Sequence, residues 1–267
     1  MIDFEFKEKY DINDLLRILE ILRGENGCPW DAEQTHASIR SNLLEEAYEA
    51  ADAIDESNSA LQEEELGDVL LQVVFHCQIE KETDKNYDFA SVCDNICQKL
   101  ITRHPHVFGD VTANDSQTVL KNWDNIKKQS KNQSYTQTLK DIPKAMPALM
   151  RAEKIGKRAS RANMDFADAK ASLEAVLKEA HELEAEIESG NMENIKSELG
   201  DLLFSCVNTA RKLGIDAEEA LSGSCTKFIG RFEKTEELVA NDELDMTDLT
   251  EDELNAYWDR CKKEFGL

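Results

Sequence analysis

The sequence is poor in residues that break helices and in patterns that make strands. Its 267 residues include 4 prolines and 11 glycines, and long alternations of Val, Ile and Thr are absent. Leu, Ala, Glu, Lys, Asn and Asp dominate instead, which favours helices. Apolar residues make up 41% of the chain, which is enough for a folded core. We therefore expect an all-α protein.

Positive charge is also scarce. The chain has 31 Lys and Arg against 55 Asp and Glu, so its formal net charge is −24. A surface of this sign repels phosphate backbones, and we expect no nucleic-acid partner. An anionic small molecule remains compatible with this charge where cations join it to the protein.

Signatures of disulfides, zinc sites and membrane segments are missing as well. The seven cysteines are scattered without a C-x-x-C motif, which is typical of reduced thiols in the cytoplasm. The first six residues, MIDFEF, lack the basic start and apolar run of a signal peptide. No apolar run reaches membrane-spanning length. We expect a cytoplasmic protein with no membrane partner.

Helical periodicity organises the residues that are present. The 61–81 segment carries one apolar face over three turns, which includes Leu66 and Leu70. A short polar turn at residues 56–59 makes the helices on either side antiparallel neighbours. Asp31, followed by Gln34, is expected to cap a helix start. We expect helices over residues 11–23, 39–55, 61–81, 88–103 and 148–160.

The second half of the chain repeats the first. A shift of 133 residues aligns ELGDVL, residues 65–70, with ELGDLL, residues 198–203. The same shift places the acids Glu46, Glu49, Glu65 and Asp68 on Glu179, Glu182, Glu198 and Asp201. With small gaps, Lys99, Arg103, Trp123 and Lys127 match Lys227, Arg231, Trp258 and Lys262. We expect two homologous helical-bundle units, residues 1–130 and 143–267, joined by a polar linker at residues 131–142.

An acidic composition makes such patterns common. Acids are about one residue in five, so a given four-acid pattern arises by chance somewhere in the chain roughly two times in five. A single quartet could therefore be a solvated helix face. However, both quartets keep the same spacing, whereas neighbours such as Gln72 and Ser205 differ. This difference favours a functional site that occurs twice.

Each quartet predicts a cluster of carboxylates between two helices. Residues three apart share a helix face, so Glu46 with Glu49 and Glu65 with Asp68 form pairs that can face each other. Four such carboxylates repel one another unless a cation joins them. Ligands that are all oxygen suit Mg²⁺ or Mn²⁺ rather than zinc. Gly67, which lacks a Cβ, is expected to permit close contact between the helices.

These motifs resemble those of the MazG family. The pattern Glu45-Glu46-x-x-Glu49 followed by Glu65-x-x-Asp68 is similar to the EExxE…ExxD motif of these all-α nucleoside triphosphate pyrophosphohydrolases. Similarity extends to GCPWDAEQTH at residues 27–36, RHPHVF at residues 103–108 and IPKAMPALMRA at residues 142–152. The resemblance covers nearly the whole chain, in the two-domain arrangement of that family.

The resemblance implies an activity and an assembly. It implies Mg²⁺-dependent hydrolysis of nucleoside triphosphates, broadly over NTPs and dNTPs, to monophosphate and pyrophosphate. Such an activity serves nucleotide pool cleaning or adjustment to stress. The resemblance also implies a homodimer with each site at a subunit contact, and it implies that the C-terminal unit is the catalytic one.

The resemblance also implies the residues of the site. Lys227 and Arg231 would clamp phosphate oxygens as charge develops, and Trp258 would stack on a base. Trp30 is a further candidate for substrate binding, although it could instead pack its own loop. The implied nucleotide contacts are Lys227, Arg231, Trp258 and Lys262. The implied metal ligands are Glu46, Glu49, Glu65 and Asp68 in the first unit, and Glu179, Glu182, Glu198 and Asp201 in the second.

The second unit departs from the family pattern at two positions near its quartet. Lys178 stands where the motif has its leading Glu, which the first unit keeps as Glu45. Asn194 stands where relatives can offer a Lys. The family ligands themselves are all present, so these departures predict a retuned second site rather than a lost one.

Two other classes of protein compete with this interpretation. A di-iron carboxylate bundle needs Glu-x-x-His pairs among its ligands, and only the segment from Glu33 to His36 has that form. An acidic helical scaffold that dimerises or binds a partner, with metal sites that are not catalytic, would make the quartets dispensable. Identifying the anion released from a nucleoside triphosphate separates all three.

Overall fold

The fold consists of helices that form two separate units. A computed structural model describes residues 4–111, 115, 119 and 133–265. Across these ranges the chain forms helices and loops and no strand, which confirms the all-α prediction. The chain divides into two compact units, Met1–Ser130 and Lys131–Leu267. Trp123 and Lys127, which took part in the predicted repeat, lie outside the described residues. None of the described helices is both long and apolar enough to cross a membrane.

The helices are numbered here in chain order. Those described in the first unit are α1 (Ile12–Arg23), α2 (Pro29–Glu33), α3 (Arg40–Asp55), α4 (Ser59–Glu82), α5 (Phe89–Arg103) and α6 (Pro105–Phe108). Those described in the second unit are α7 (Tyr135–Lys140), α8 (Ala148–Ala159), α9 (Ala169–Ser189), α10 (Met192–Leu213), α11 (Ala217–Asn241) and α12 (Glu251–Phe265). Two short 3₁₀ turns, Ser160–Ala162 and Met246–Asp248, complete the second unit.

Local chemistry fixes the ends of the long helices. Asn58 caps α4 by accepting a hydrogen bond from the Leu61 amide, and Asp168 caps α9 in the same way through Ala171. Gly190 and Gly214, both at φ 73°, end α9 and α10 in a left-handed conformation that favours glycine. The expected helices over residues 39–55 and 61–81 thus appear within two residues of their predicted ends.

One expected cap is wrong. Asp31 lies inside α2, which begins at Pro29 after Cys28. Proline suits the first position of a helix because its missing N–H has no partner there. The side-chain amide of Gln34 donates to the carbonyl of Trp30 instead of completing a capping box. The helix therefore starts two residues earlier than the predicted cap.

The core of the first unit lies between α1 and the C-terminal half of α4. Buried Leu19 of α1 packs with Val74, Phe75 and Ile79 of α4, and Ile39 joins them from the loop before α3. The N-terminal half of α4 differs, since Leu66 and Leu70 are exposed. The predicted apolar face is therefore buried at one end of α4 only.

The core of the second unit joins α8, α10, α11 and α12. Its buried members include Ala152, Val207, Val239 and Cys261. Gly156 of α8 faces α10 so closely that an added Cβ would lie 2.6 Å from Asn208 Oδ1. Helices α8 and α10 can approach at this point because the glycine has no side chain.

An arginine holds the loop before the acidic helix pair in each unit. In the first unit, Arg23 donates to the backbone carbonyls of Asp31 and Gln34 and pairs with Glu82 of α4 at 2.8 Å. In the second unit, Arg211 of α10 pairs with Asp165 at 2.5 Å. The two arginines come from different helices, so the two units secure this loop by different means.

The segment predicted as a linker is structured in its described part. Residues 131–132 lie outside the described residues, whereas Tyr135–Lys140 forms α7 with Ser134 as its cap. Arg158 of α8 donates to the carbonyl of Thr138, and Ile142 is buried. From residue 135 onward this segment packs with the second unit. The exact domain boundaries stay a prediction.

Candidate active site

The helix pair α3–α4 brings three acids of the first quartet together. One carboxylate oxygen from each of Glu46, Glu49 and Glu65 lies within 4.8 Å of the others. Helices α3 and α4 pack side by side, and their short connection places the two faces against each other. We call Glu46, Glu49 and Glu65 the first cluster.

The charges of the first cluster oppose one another. Partial burial and then the charge of Asp68 raise the pKa of Glu46. Partial burial and then the charge of Glu49 raise the pKa of Glu65, and the neighbouring Glu64 adds to this effect. These pKa shifts show that the negative charges of this cluster are not fully compensated by the protein.

The helix pair α9–α10 repeats this arrangement. One oxygen from each of Glu179, Glu182 and Glu198 lies within 4.8 Å of the others, and these three residues are called the second cluster. Partial burial, followed by the charge of Glu182, raises the pKa of Glu198. The exposed side chain of His181 lies between two of the cluster residues in sequence.

A lysine distinguishes the second cluster from the first. Lys178 Nζ lies 2.7 Å from Glu182 Oε1 and 4.0 Å from Glu179 Oε1. The hydrogen bond to Glu182 raises the pKa of Lys178. Under the 133-residue shift, the first unit has Glu45 at this position. Among the described residues, the second cluster therefore has a lysine in contact with its carboxylates, and no such contact is found at the first cluster.

The fourth acid of each quartet lies beside its cluster. Asp68 and Asp201 are not among the residues whose oxygens meet within 4.8 Å. They are nevertheless close enough for their charges to raise the pKa of Glu46 and of Glu198, respectively. They can join the clusters through a side-chain rotation, because each is on the same helix as a cluster residue three positions earlier.

The predicted nucleotide contacts lie on the last two helices of the second unit. Lys227 and Arg231 are on α11, which packs against both α10 and α12. The ring of Trp258, on α12, lies 5.1 Å from the ring of Phe228 on α11. Lys262 is exposed and pairs with Asp259 at 3.0 Å. The ring contact between Trp258 and Phe228 joins α12 to α11, and α11 packs against the helix that carries Glu198.

Two predicted site residues have environments that restrict their roles. The side chain of Trp30 is 61% exposed, so it does not pack the core of its unit. Arg231 is partly buried, and its Nε atom has no hydrogen-bond partner among the residues that the structure describes. An unsatisfied guanidinium nitrogen on α11 suits a role in binding an anion.

The role expected for Gly67 is wrong. A Cβ added at Gly67 would have no atom within 4 Å, and the same holds for Gly200 in the second unit. Neither glycine permits a close helix contact with any of the described residues. Both lie on exposed surface between the acids of their quartet.

A histidine cluster in the first unit was not found from the sequence. The Nδ1 atoms of His36 and His76 are 2.8 Å apart, and the two rings are nearly coplanar with centroids 5.1 Å apart. With this distance and these ring planes, the two rings face each other through their Nδ1 atoms. One Nδ1 therefore carries a hydrogen and donates it to the other. His36 Nε2 also lies 3.2 Å from Glu80 Oε2. The only available signal was the spacing of His76 and Glu80, four apart on one helix.

The histidine cluster also removes the di-iron interpretation. His36 supplied the only Glu-x-x-His segment of the sequence. The structure turns its ring to His76 and Glu80, whose carboxylate is buried and also accepts a hydrogen bond from Asn86. The ligands that such a bundle requires from this motif are therefore not assembled at the first cluster.

The chemistry of the clusters fits a hard divalent cation. Every candidate ligand atom in the two clusters is a carboxylate oxygen, which is the ligand type of Mg²⁺ and Mn²⁺. Burial and the charges of neighbouring carboxylates raise the pKa values of Glu46, Glu65 and Glu198. A divalent cation bound among these carboxylates would favour their ionised form and oppose both effects.

Comparisons with known proteins identify a family of nucleotide pyrophosphohydrolases. A model of the MazG nucleotide pyrophosphohydrolase domain matches residues 34–108 and 168–235, which include both clusters. The nucleoside triphosphate pyrophosphohydrolase/pyrophosphatase MazG of Thermotoga maritima is 41% identical over 249 residues, covering 93% of this chain and 94% of the relative. The nucleoside triphosphate pyrophosphohydrolase of Escherichia coli K12 is 41% identical over 257 residues, covering 95% and 97%.

A third relative is longer than this chain. YabN of Bacillus subtilis is 40% identical over 255 residues, which are 95% of this chain but 52% of that protein. The fold and the acidic helix pairs define an all-α protein with two related carboxylate sites. The chain belongs to the MazG nucleotide pyrophosphohydrolase family, and by that membership it is a hydrolase that acts on acid anhydrides.

Proposed function

We propose that this chain hydrolyses nucleoside triphosphates to nucleoside monophosphates and pyrophosphate. It uses Mg²⁺, with Mn²⁺ as a substitute, and accepts NTPs and dNTPs broadly. The observation that carries the proposal is the carboxylate cluster on a helix pair, present twice in a chain that such hydrolases match almost end to end. The activity serves nucleotide pool cleaning or stress adjustment in the cytoplasm.

The acids of the second unit hold the cation in this proposal. Glu179, Glu182 and Glu198 supply oxygens that already converge, and Asp201 joins them from α10. When bound, a divalent cation polarises a phosphate oxygen and lowers the pKa of the attacking water. Glu46, Glu49, Glu65 and Asp68 hold a cation in the same way in the first unit.

The cationic and aromatic residues of α11 and α12 bind the nucleotide. Lys227 and the partly buried Arg231 contact phosphate oxygens and stabilise the charge that develops on them. Trp258 offers a ring face to a base, and every base has a face that can stack. Lys262 provides a further contact in this unit, and the exposed Trp30 is a candidate nucleotide contact of the first unit. Stacking without base-specific hydrogen bonds explains a broad substrate range.

The bond that breaks is the anhydride between the α- and β-phosphates. One water is consumed for each triphosphate, its oxygen ends on one of the two products, and one proton is released to solvent or to a carboxylate. The products are the monophosphate and pyrophosphate. The second-unit residues together orient the triphosphate and compensate its charge during this step.

Identifying the released anion tests the activity. The purified chain is incubated with each NTP and dNTP and Mg²⁺, and the products are separated by anion-exchange chromatography. We expect monophosphate and pyrophosphate, with turnover abolished by EDTA and restored by Mg²⁺ or Mn²⁺. Diphosphate with orthophosphate would exclude the proposed reaction. No turnover by a chain that still binds the cation would favour the acidic scaffold.

We also propose that the chain forms a homodimer through the exposed apolar side of its acidic helix pairs. Leu66 and Leu70 are 55% and 39% exposed, and their counterparts Leu199 and Leu203 are 46% and 50% exposed. Large apolar side chains repeated at equivalent positions of both units favour burial against a second copy. Such a dimer would place each acidic site near a subunit contact.

The mass in solution tests the dimer. Light scattering coupled to size exclusion is expected to give twice the chain mass for the wild type and a lower mass for Leu203→Glu, because a buried charge opposes association. Leu244→Glu, on the exposed loop after α11, is the matched control and is expected to keep the wild-type mass. A monomeric wild-type chain would rule the dimer out.

A further inference from the structure

Lys178 contacts the second cluster, although the proposed metal binding does not require a lysine there. Its ammonium group lies 2.7 Å from Glu182 and 4.0 Å from Glu179, and both of these carboxylates belong to the proposed metal site. The side chain is 66% exposed, so it can leave and return without unfolding the helix. Lys178 thus places an exposed positive charge in contact with two carboxylates of the cluster.

The first cluster has the opposite charge at the matching position. Burial and the charge of Asp68 contribute most to the raised pKa of Glu46, and the charge of Glu45 adds to them. A second contrast lies on the other helix of each pair, where Glu64 raises the pKa of Glu65 and the second unit has Ser197 instead. A neighbouring acid, Glu186, restores part of the negative charge around Glu198. The contrast at position 178 remains the largest, because it reverses the sign of a charge in direct contact with the ligands.

A divalent cation meets different conditions at the two clusters. At the first cluster it relieves repulsion between carboxylates and displaces no cation of the part of the chain that the structure describes. At the second cluster it must either displace Lys178 from Glu182 or remain beside a positive charge a few ångströms away. Both alternatives oppose binding, although solvent reduces the effect because the lysine is exposed.

We infer that Lys178 lowers the affinity of the second cluster for divalent cations, and that the first cluster is the tighter cation site of the chain. The inference rests on the proposed metal binding of both clusters. It concerns affinity rather than turnover, so it is tested without substrate.

Binding of Mn²⁺ to the full chain, followed by electron paramagnetic resonance, measures each cluster in turn. Glu46→Gln with Glu49→Gln disables the first cluster, and Glu179→Gln with Glu182→Gln disables the second. We expect the chain that keeps only the first cluster to bind Mn²⁺ roughly tenfold more tightly than the chain that keeps only the second, a modest ratio for exposed charges.

Reciprocal charge exchanges identify the lysine as the cause. In the chain that keeps only the second cluster, Lys178→Glu is expected to tighten Mn²⁺ binding roughly tenfold, and Lys178→Met by less, since a larger charge change acts at the same distance. In the chain that keeps only the first cluster, Glu45→Lys is expected to weaken binding by a similar factor. Lys170→Glu, about two turns away on the same helix, is the control and is expected to change affinity less than about twofold.

The outcomes separate this inference from the proposed function. Equal affinities of the two clusters, or no response to Lys178→Glu and Lys178→Met, would overturn the inference while metal binding stands. Absence of Mn²⁺ binding to both clusters would overturn the inference and the proposed metal dependence together. Circular dichroism on each variant establishes that the helices are intact before affinity is compared.

Discussion

The two units have the same acidic helix pair in different electrostatic surroundings. The first cluster has Glu45 beside it, and its carboxylates repel one another. The second has Lys178 in direct contact with its carboxylates. The candidate ligand positions are therefore the same in both units, whereas the charge at the position beside them differs in sign, Glu45 against Lys178. Identical ligands do not imply identical affinity, because a cation responds to every charge within a few ångströms.

The largest expected effect is the loss of activity when one acid is replaced in each unit. The loss should differ greatly between the two units. Asp201→Asn is expected to lower the rate of pyrophosphate release at least about 100-fold, since loss of one group that stabilises developing charge commonly has that effect. Asp68→Asn is expected to cause a much smaller loss, because the family resemblance assigns catalysis to the C-terminal unit. The measurement is kcat and KM for both variants with the same triphosphate.

Glu184→Gln is the matched control for this pair. Glu184 is an exposed acid on α9, two residues after Glu182, and its neutralisation changes the net charge by the same amount. Its kinetic constants should equal those of the wild type. A larger loss for Asp68→Asn than for Asp201→Asn would transfer the catalytic role to the first unit.

The arginine that holds the loop before each acidic helix pair is Arg23 in the first unit and Arg211 in the second. The stabilisation from these two arginines should respond differently to a fall in pH. The hydrogen bond from Arg211 lowers the pKa of Asp165 from 3.8 to about 2. A carboxylate with a lowered pKa in the folded state stabilises the fold above its unfolded pKa and loses this effect as the pH falls through the folded value. The side chain of Asp165 is 22% exposed, so we expect a contribution on the order of 2 kcal/mol at neutral pH that disappears between about pH 4 and pH 2.

Asp165→Asn measures this contribution in the second unit. Urea unfolding at pH 7 is expected to show a loss of about 2 kcal/mol for this variant, and the difference from the wild type should shrink near pH 2.5. Asp168 is a poor control because it caps α9. Asp248→Asn, in the exposed 3₁₀ turn, keeps the change in charge without the arginine contact. An unchanged Asp165→Asn variant would mean that the ion pair does not stabilise the second unit.

The histidine pair should give the first unit a pH dependence that the second lacks. Burial and then the nearby His36 lower the pKa of His76 from 6.5. A histidine with a lowered pKa in the folded state binds fewer protons than it does in the unfolded chain. The free energy of unfolding should therefore be highest above pH 6.5 and fall as the pH drops from 6.5 through the folded pKa. Of the three predicted effects, after those of the acid replacements and of the Asp165 ion pair, this change in the free energy of unfolding should be the smallest.

His76→Asn should flatten this dependence. The comparison is urea unfolding between pH 7.5 and pH 5.5 for the wild type and the variant, in which the amide replaces one ring nitrogen. The second unit has Thr209 at the matching position and should show no corresponding change. A slope that persists in His76→Asn would assign the pH dependence to other groups.

Much of the fold could be predicted from the sequence because local signals determine it. The extent of α3 follows from apolar periodicity, and the starts of α4 and α5 follow also from the capping residues Asn58 and Asp88. Helix α7 was not predicted, because its six residues are mostly polar and its stability comes from contacts such as the one between Arg158 and Thr138. Short helices that depend on tertiary contacts have little local signal.

The candidate site shows the same limit. The convergence of Glu46, Glu49 and Glu65 could be predicted, since helix geometry and a short connection are sufficient. The contact between His36 and His76 could not, because 40 residues separate the two rings. The exposure of Leu66 and Gly67 could not be predicted either, because an apolar pattern on a helix does not say whether the chain itself or another copy covers it.

The placement of histidines makes the two units distinguishable by spectroscopy. The chain has five histidines, and His181 is the one that belongs to the second unit, between Glu179 and Glu182 in sequence. A paramagnetic ion entering the second cluster would broaden the imidazole resonances of His181, whereas His36 and His76 report on α4 of the first unit. A single titration of the unmodified chain could therefore show the order in which the two clusters fill.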